Sequence, residues 1–91
     1  MIWDTTGIPS AITTNKVPGI RAANGYNEFS ARSSREHNNA NIIVLGAKML
    51  GDELIKSILD VWLTSSFLGE RHQKRLDKIS KIEEHFLNKA V

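Results

Sequence analysis

The segment Ile42-Ile43-Val44-Leu45 is the clearest strand in the chain and decides the class of fold. Its four residues are all apolar, three are β-branched, and no polar residue alternates with them. Such a run is typical of a parallel strand that is covered on both faces. Gly46 and Ala47 follow it, and both are small enough to let another backbone approach closely. The segment therefore predicts a buried parallel strand in an α/β fold.

Apolar runs and helical patterns alternate along the rest of the chain, as they do in layered α/β proteins. We predict strands at 1–3, 20–23 and 42–45, and helices at 7–16, 28–37, 54–63 and about 70–88. Asp52 is the predicted N-cap of the third helix, because its carboxylate can accept hydrogen bonds from free backbone N–H groups. The prediction is one domain, 1–91, with a three-layer, Rossmann-like parallel sheet and a long C-terminal helix. Three strands leave one edge or face uncovered, so the fold is predicted to be truncated.

The last predicted helix carries an apolar stripe that so short a chain does not cover. The stripe consists of Leu76, Ile79, Ile82 and Phe86. A second copy of the chain can cover such a face. The sequence therefore predicts a homodimer.

Composition excludes several classes of function. The chain has 91 residues and no cysteine, which excludes disulfides, thiolate metal ligands and a cysteine nucleophile. The three histidines lack the spacing of metal ligands, and we predict neither a metal nor a cofactor. A net charge of +2 and few aromatic residues do not favour nucleic-acid binding. The apolar runs are too short to span a membrane and no targeting pattern opens the chain, so we predict a cytoplasmic protein.

The segment Asp4-Thr5-Thr6-Gly7 lies where the first predicted strand ends and the first helix begins. Ligands of open α/β sheets bind beyond the carboxyl ends of the strands, and N–H groups at a helix start attract anions. Asp4 is therefore a candidate general base. The alternative is that Asp4 or Thr6 only caps the helix, and the spacing alone favours this alternative.

His37 and Asn38 lie at the predicted end of the second helix, next to a strand. An imidazole can transfer protons near neutral pH, and an amide can orient a hydroxyl group. The alternative is an exposed helix C-terminus, where the helix dipole favours a histidine. Position alone favours the alternative.

Arg71 and Arg75 lie four residues apart at the start of the last helix, so their guanidinium groups share a face. Two planar guanidinium groups suit a phosphate dianion. The alternative is a solvated helix face. A cation at a helix N-terminus interacts unfavourably with the helix dipole. This position of Arg71 therefore favours the interpretation that it binds an anion.

Taken together and in this order, these segments resemble the family of ribose-5-phosphate isomerase B and the galactose-6-phosphate isomerase subunits. The resemblance rests on residues 15–23 (NKVPGIRAA), 29–32 (FSAR), 34–41 (SREHNNAN), 44–47 (VLGA) and 69–79 (GERHQKRLDKI). It covers nearly the whole chain, and it corresponds to the C-terminal part of the family.

The resemblance implies a sugar-phosphate aldose–ketose isomerase, with ribose 5-phosphate converted to ribulose 5-phosphate through an enediolate, a step of the pentose phosphate pathway. It implies that His37 helps to open the sugar ring and that Asn38 contacts the substrate. It makes Arg71 and Arg75 phosphate ligands. The implied site lies between two subunits and needs no cofactor.

The resemblance also shows where this chain departs from the family. Thr6 and Gly7 fall on the threonine and a glycine of the family's strand-to-helix loop. Asp4 stands where many members have a catalytic cysteine, which makes Asp4 the implied base. Thr5 and Pro9 replace glycines, and Pro9 has no N–H to give to an oxyanion. The family's N-terminal strands have no counterpart here, so the alternative is an inactive member that dimerises or binds phosphate.

Overall fold

Strands and helices alternate through residues 1–89, which are the residues that the computed structural model describes. The strands are β1 (Ile2–Asp4), β2 (Ala22–Asn24) and β3 (Ile42–Gly46). The helices are α1 (Ile8–Thr14), α2 (Glu28–Glu36), α3 (Asp52–Thr64) and α4 (Arg71–Lys89). Each predicted strand and helix is present, with ends that differ by a few residues.

The sheet has the order β1-β3-β2, and both pairings are parallel. Ile2 lies opposite Val44 on one side of β3, and Ala22 lies opposite Ile42 on the other. The middle strand is therefore the apolar run, whose continuous apolar character fits a strand with neighbours on both edges and helices on both faces. The prediction of a buried parallel strand is confirmed.

The two crossover connections place helices on opposite faces of the sheet. The connection through α1 crosses from β1 over β3 to β2, and the connection through α2 returns from β2 to β3. Because such crossovers are right-handed, two that run in opposite directions put their helices on opposite faces. Helix α3 packs on α2. The three-layer, Rossmann-like arrangement with a long last helix is thus confirmed.

The hydrophobic core lies between the sheet and the layer formed by α2 and α3. Its fully buried members are Ala31, Ile43, Leu45 and Ile58. Side chains alternate along a strand, so Ile43 and Leu45 enter this core while Val44 points to the α1 face. Burial of each large aliphatic side chain contributes about 1.5–3 kcal/mol. Trp62 of α3 closes the core at its margin.

Two helix starts differ from the prediction. Gly51, with an extended backbone, is the N-cap of α3, and Asp52 is its first helical residue, so the prediction that Asp52 is the cap is wrong. Asp52 and Glu53 still lie in the first turn, where the helix dipole favours negative charge, and the sequence signal does not separate that position from the cap. Gly7 lies just outside α1 as its N-cap, with φ of 81°.

Helix α4 is packed at its first turns and exposed beyond them. His72 and Leu76 are buried. The Glu83 carboxylate accepts a hydrogen bond of 2.9 Å from the Gly19 N–H. The rest of the predicted stripe, Ile79, Ile82 and Phe86, is between 48% and 64% exposed. Of the helices within residues 1–89, none combines the length and the apolar composition needed to cross a membrane.

Candidate functional site

The predicted site residues lie at two opposite edges of the sheet. Asp4, Thr6 and Gly7 follow the carboxyl end of β1, whereas His37 and Asn38 follow α2 and precede the start of β3. All strands run in one direction, so these positions belong to opposite edges. Strand β3 has five residues, and its ends are about 13 Å apart at about 3.3 Å per step. The two groups therefore do not converge on one small sugar within a single chain.

At the carboxyl edge, the Asp4 carboxylate closes the loop of residues 4–10, here called the carboxyl-edge loop. Oδ1 accepts hydrogen bonds from the backbone N–H of Thr6, at 3.0 Å, and of Gly7. Oδ2 accepts from the backbone N–H and the hydroxyl of Ser10, at 3.0 and 2.5 Å. The Ser10 hydroxyl lowers the pKa of Asp4 most, desolvation opposes it, and the backbone N–H groups lower it further. The N-cap residue of α1 is Gly7, and the Asp4 carboxylate satisfies N–H groups at the start of this helix from outside it, which is the kind of contact that the alternative for Asp4 predicts. These contacts do not test its role as a base.

The same hydrogen bonds occupy the N–H groups that a substrate oxyanion would use. Three of them point to the Asp4 carboxylate, and the N–H of Ile8 donates to Thr6 Oγ1 at 3.2 Å. Pro9 has no N–H to add. In this conformation the start of α1 binds the chain's own anion.

Two small contacts hold the carboxyl-edge loop on the sheet. Asn24 Nδ2, at the end of β2, donates to the Gly7 carbonyl oxygen at 2.8 Å. A Cβ added to Gly46 would lie 2.5 Å from the Thr6 carbonyl oxygen, so only glycine leaves room for this backbone crossing. The sequence alone assigns Asn24 no role. Its position at the carboxyl end of a strand, beside the loop, is the signal that identifies it.

At the amino edge, α2 and α4 bring together a group of side chains that we call the amino-edge cluster: His37, Asn38, Arg71, His72 and Arg75. The rings of His37 and His72 stack with their centroids 4.4 Å apart and an interplanar angle of 17°. Arg75 Nη2 lies 2.8 Å from His72 Nδ1. A guanidinium group can only donate, so His72 Nδ1 accepts and its ring proton lies on Nε2.

The environment of His72 keeps its ring neutral. Its side chain is 7% exposed. Desolvation lowers the pKa of His72 most, followed by the nearby charges of His37, Arg71 and Arg75, and only Glu70 acts in the opposite direction. Among the sequence predictions, His72 has no role. Its spacing of four residues from Leu76 places it on the buried side of α4, and this spacing is the signal that could have identified it.

The two arginines of the cluster are available for an anion. Arg71 and Arg75 are both exposed, and within residues 1–89 no carboxylate forms an ion pair with either of them. The structure brings Arg75 into contact with His72, which stacks on His37, so the predicted phosphate ligand and the predicted ring-opening residue share one neighbour. Such a group of cations suits a phosphate dianion.

The end of α2 is fixed from both sides, which sets the position of His37 and Asn38. Arg35 donates to the Ala40 carbonyl oxygen at 2.5 Å, and its guanidinium carbon lies 5.1 Å from the centre of the Trp62 ring. His37 Nδ1 lies 3.2 Å from the Ser33 hydroxyl. Asn38 lines a groove between β2 and α4. In the described part of the chain, no three His, Asp or Glu side chains are grouped in a way that holds a metal ion.

Comparison with known proteins identifies the family. The Ribose/Galactose Isomerase family model matches residues 1–79. The chain belongs to this family. Ribose-5-P isomerase B of Listeria innocua is 44% identical over 79 residues, which are 87% of this chain and 53% of that protein. The galactose-6-phosphate isomerase subunit LacA of Enterococcus faecalis is 42% identical over 82 residues, which are 90% of this chain and 58% of that protein.

A solved member of the ribose/galactose isomerase family has the same fold. The structure of Clostridium thermocellum ribose-5-phosphate isomerase B superposes on this chain with a TM-score of 0.91 and 48% sequence identity. The superposed region covers 93% of this chain and 58% of the Clostridium protein. The family predicted from the sequence motifs is confirmed. The chain spans little more than half the length of the relatives it matches.

Proposed function

We propose that this chain belongs to a sugar-phosphate aldose–ketose isomerase whose substrate is ribose 5-phosphate and whose product is ribulose 5-phosphate. The observation that carries the proposal is the amino-edge cluster, in which the ring that stacks on His37 also contacts Arg75. A phosphate bound by the arginines leaves the sugar ring attached to it within the neighbourhood of an imidazole. The names of the relatives support both pentose and galactose phosphates, and the ribose name is shared by the Listeria and Clostridium proteins.

In the first step proposed, His37 moves a proton from the anomeric hydroxyl to the ring oxygen, which opens the sugar. In the second, a base takes the proton from C2 and returns it to C1, while the hydroxyl proton of C2 moves to the oxygen of C1. The substrate and product have the same composition, so no oxidant or reductant is consumed. Arg71 and Arg75 hold the phosphate through both steps, and Asn38 contacts a sugar hydroxyl.

Asp4 is the proposed base, with a structural condition attached. Both of its carboxylate oxygens accept hydrogen bonds, and its pKa is lowered chiefly by the Ser10 hydroxyl. A carboxylate in that state accepts a proton poorly. Proton abstraction therefore requires that Ser10 first release Oδ2. For the Thr6 hydroxyl and the Gly7 N–H to face the developing oxyanion, the Gly7 N–H must also leave Oδ1 of Asp4.

We infer that the working unit is a homodimer. The carboxyl-edge loop and the amino-edge cluster lie at opposite edges of the sheet, so a site containing both requires that the loop of one copy meet the cluster of another. The exposed stripe of α4, with Ile79, Ile82 and Phe86, supplies an apolar surface for this contact. The same stripe lines one wall of a groove of about 780 Å³, whose other wall is formed by β2 and the connection from α1 to β2. We propose that residues 1–91 form a single domain, and we place it in the cytoplasm, because a charged sugar phosphate does not cross a bilayer.

An isomerase assay with ribose 5-phosphate tests the proposal. His37→Ala should lower kcat by about 10²- to 10⁴-fold, the usual contribution of a positioned proton-transfer group. The matched control is Lys56→Ala, which removes an exposed side chain of α3 outside both the cluster and the α4 stripe, and it should leave kcat unchanged. Turnover that is equal in the folded parent chain and the His37 variant would contradict the proposal. Phosphate binding without any turnover would instead support the inactive, phosphate-binding alternative.

A further inference from the structure

His72 lies between His37 and Arg75, to which the proposed function assigns ring opening and phosphate binding. One face of its ring stacks on the ring of His37 at the end of α2, with the two ring centroids 4.4 Å apart. Its Nδ1 accepts a hydrogen bond of 2.8 Å from Arg75 of α4. The ring is 7% exposed, so it is not itself presented to a substrate. Its contacts reach both neighbours at once and fix their separation.

Only the neutral form of His72 makes both contacts. If Nδ1 carried a proton, it could not accept from the Arg75 guanidinium, and the imidazolium would repel that group. The titratable and charged groups that face it are His37 from α2, and Glu70, Arg71 and Arg75 from the start of α4. Three of these four lower the pKa of His72, as does its desolvation, so the neutral form is the one present near neutral pH.

We propose that His72 is a positioning residue that aligns His37 by ring stacking and Arg75 by accepting its N–H, so that the ring-opening imidazole and the phosphate-binding guanidinium move as one unit. The inference rests on the proposed function, because it names what orients the residues of that reaction. It adds a residue that touches neither the sugar nor the phosphate.

Two substitutions separate the two contacts. His72→Phe keeps a flat ring for His37 to stack on and removes the acceptor for Arg75. His72→Asn keeps an acceptor near the position of Nδ1 and removes the ring. If His72 merely fills space, the two variants have the same effects; if it positions both neighbours, their effects are different in kind.

The expected results form a crossed pattern. With inorganic phosphate as the probe, His72→Phe should raise the Kd about tenfold or more, because Arg75 loses a charge-assisted contact, while His72→Asn should stay near the parent value. With ribose 5-phosphate, His72→Asn should lower kcat about tenfold, because His37 loses its alignment, while His72→Phe should mainly raise KM. Equal changes in both variants, or no change in either, would overturn the proposal.

Nuclear magnetic resonance of the ¹⁵N-labelled unsubstituted chain provides a readout that depends neither on turnover nor on the folding of a variant. The ring proton of His72 is expected on Nε2 at pH 7. The ¹⁵N chemical shift of Nδ1 is expected to be that of an unprotonated ring nitrogen that accepts a hydrogen bond. A His72 protonated on Nδ1 at pH 7 would refute the proposal whatever the variants do. A chain that shows the Nε2 proton and the phosphate pattern without turnover would refute the proposed function and leave standing the positioning of Arg75 by His72.

Discussion

The two edges of the sheet differ in how they satisfy their charges. At the carboxyl edge, the Asp4 carboxylate accepts hydrogen bonds from its own loop, and the N–H groups there already have a partner. At the amino edge, Arg71 and Arg75 are exposed, and within residues 1–89 neither has a carboxylate partner. The charged group of the first region already has partners within the chain, whereas the charged groups of the second have no oppositely charged partner among these residues. The comparison indicates that the amino edge is the side on which this chain, as folded, is ready to bind an anion.

The two regions also differ in the contacts that hold them in place. The carboxyl-edge loop is held by Asn24 and by the close crossing at Gly46. The amino-edge cluster is built on two helix ends, and its main internal contact is the pair of stacked imidazoles. A change in the contacts that hold the carboxyl-edge loop should therefore lower stability and leave phosphate affinity unchanged, whereas a change at the amino edge should lower phosphate affinity.

The largest expected effect is at the amino edge. The double substitution Arg71→Ala and Arg75→Ala should weaken the binding of inorganic phosphate by about 100-fold or more, because each charge-assisted hydrogen bond contributes about 1.5–3 kcal/mol. Isothermal titration calorimetry measures the Kd. The matched control is Lys74→Ala with Lys78→Ala, which removes the same charge at the same spacing from α4. An equal loss in both double variants would show that only net charge matters.

Assembly is the next test, because a second copy is what we expect to bring the two edges together. Phe86→Asp should weaken self-association by about 30-fold, since a central apolar anchor of an interface contributes about 2 kcal/mol or more. Phe86 is 64% exposed in the single chain, so the folded monomer should persist. Sedimentation equilibrium measures the change. Leu63→Asp, at an exposed position of α3, is the control, and a dimer unaffected by Phe86→Asp would place the interface elsewhere.

The crossing at the carboxyl edge gives a smaller, purely structural effect. Gly46→Ala should lower the free energy of unfolding by about 1–3 kcal/mol, because the new Cβ meets the backbone of Thr6 in a packed region. Urea denaturation measures it. Gly51→Ser is the control: no atom lies within 4 Å of a Cβ there, and serine is a preferred N-cap. Phosphate affinity should be unchanged in both variants, and a large loss of affinity in Gly46→Ala would contradict the separation of the two edges.

The smallest effect is the acid dependence contributed by Asp4. Its pKa in the folded chain lies below the ordinary value of 3.8, so the unfolded chain binds the proton more readily. The stability that this carboxylate contributes is present above about pH 4 and is lost as the pH falls through the lowered folded pKa. Asp4→Asn should therefore be less stable than the parent at pH 7 and show a shallower decline in acid. Thermal unfolding between pH 2 and 7 measures this, with the exposed Asp60→Asn as the control, and parallel curves for Asp4→Asn and the parent would contradict it.

Much of the fold could be predicted from the sequence because apolar periodicity is a local signal. The run Ile42-Ile43-Val44-Leu45 marks the central strand without any knowledge of its neighbours. The order of the strands could not be predicted in this way, because it depends on contacts between distant segments. Residue type alone also did not place the third helix cap, since Gly51 takes the cap by its backbone conformation, and Asp52 is equally favourable one position later.

The residues of the candidate site stand out one by one in the sequence, but their arrangement does not. The chemistry of their side chains makes His37 and Arg75 candidates, and the structure brings both into contact with His72. Their separation from Asp4 and Thr6 depends on the direction of each strand, which follows from the topology and not from motif spacing. The role of Asn24 could not be predicted from the sequence, because this side chain donates to a backbone carbonyl oxygen, and residue type alone does not indicate such a contact.

The two tryptophans of the chain give each region its own optical signal. Trp3, in β1 beside the carboxyl-edge loop, is 62% exposed. Trp62 lies beneath the Arg35 guanidinium, and its indole nitrogen is buried without a hydrogen-bond partner among residues 1–89. An indole in water emits at longer wavelength and is quenched by dissolved iodide, whereas a shielded one emits further to the blue and resists the quencher. Replacing either ring by phenylalanine therefore yields a chain whose fluorescence reports on a single edge, without any attached dye.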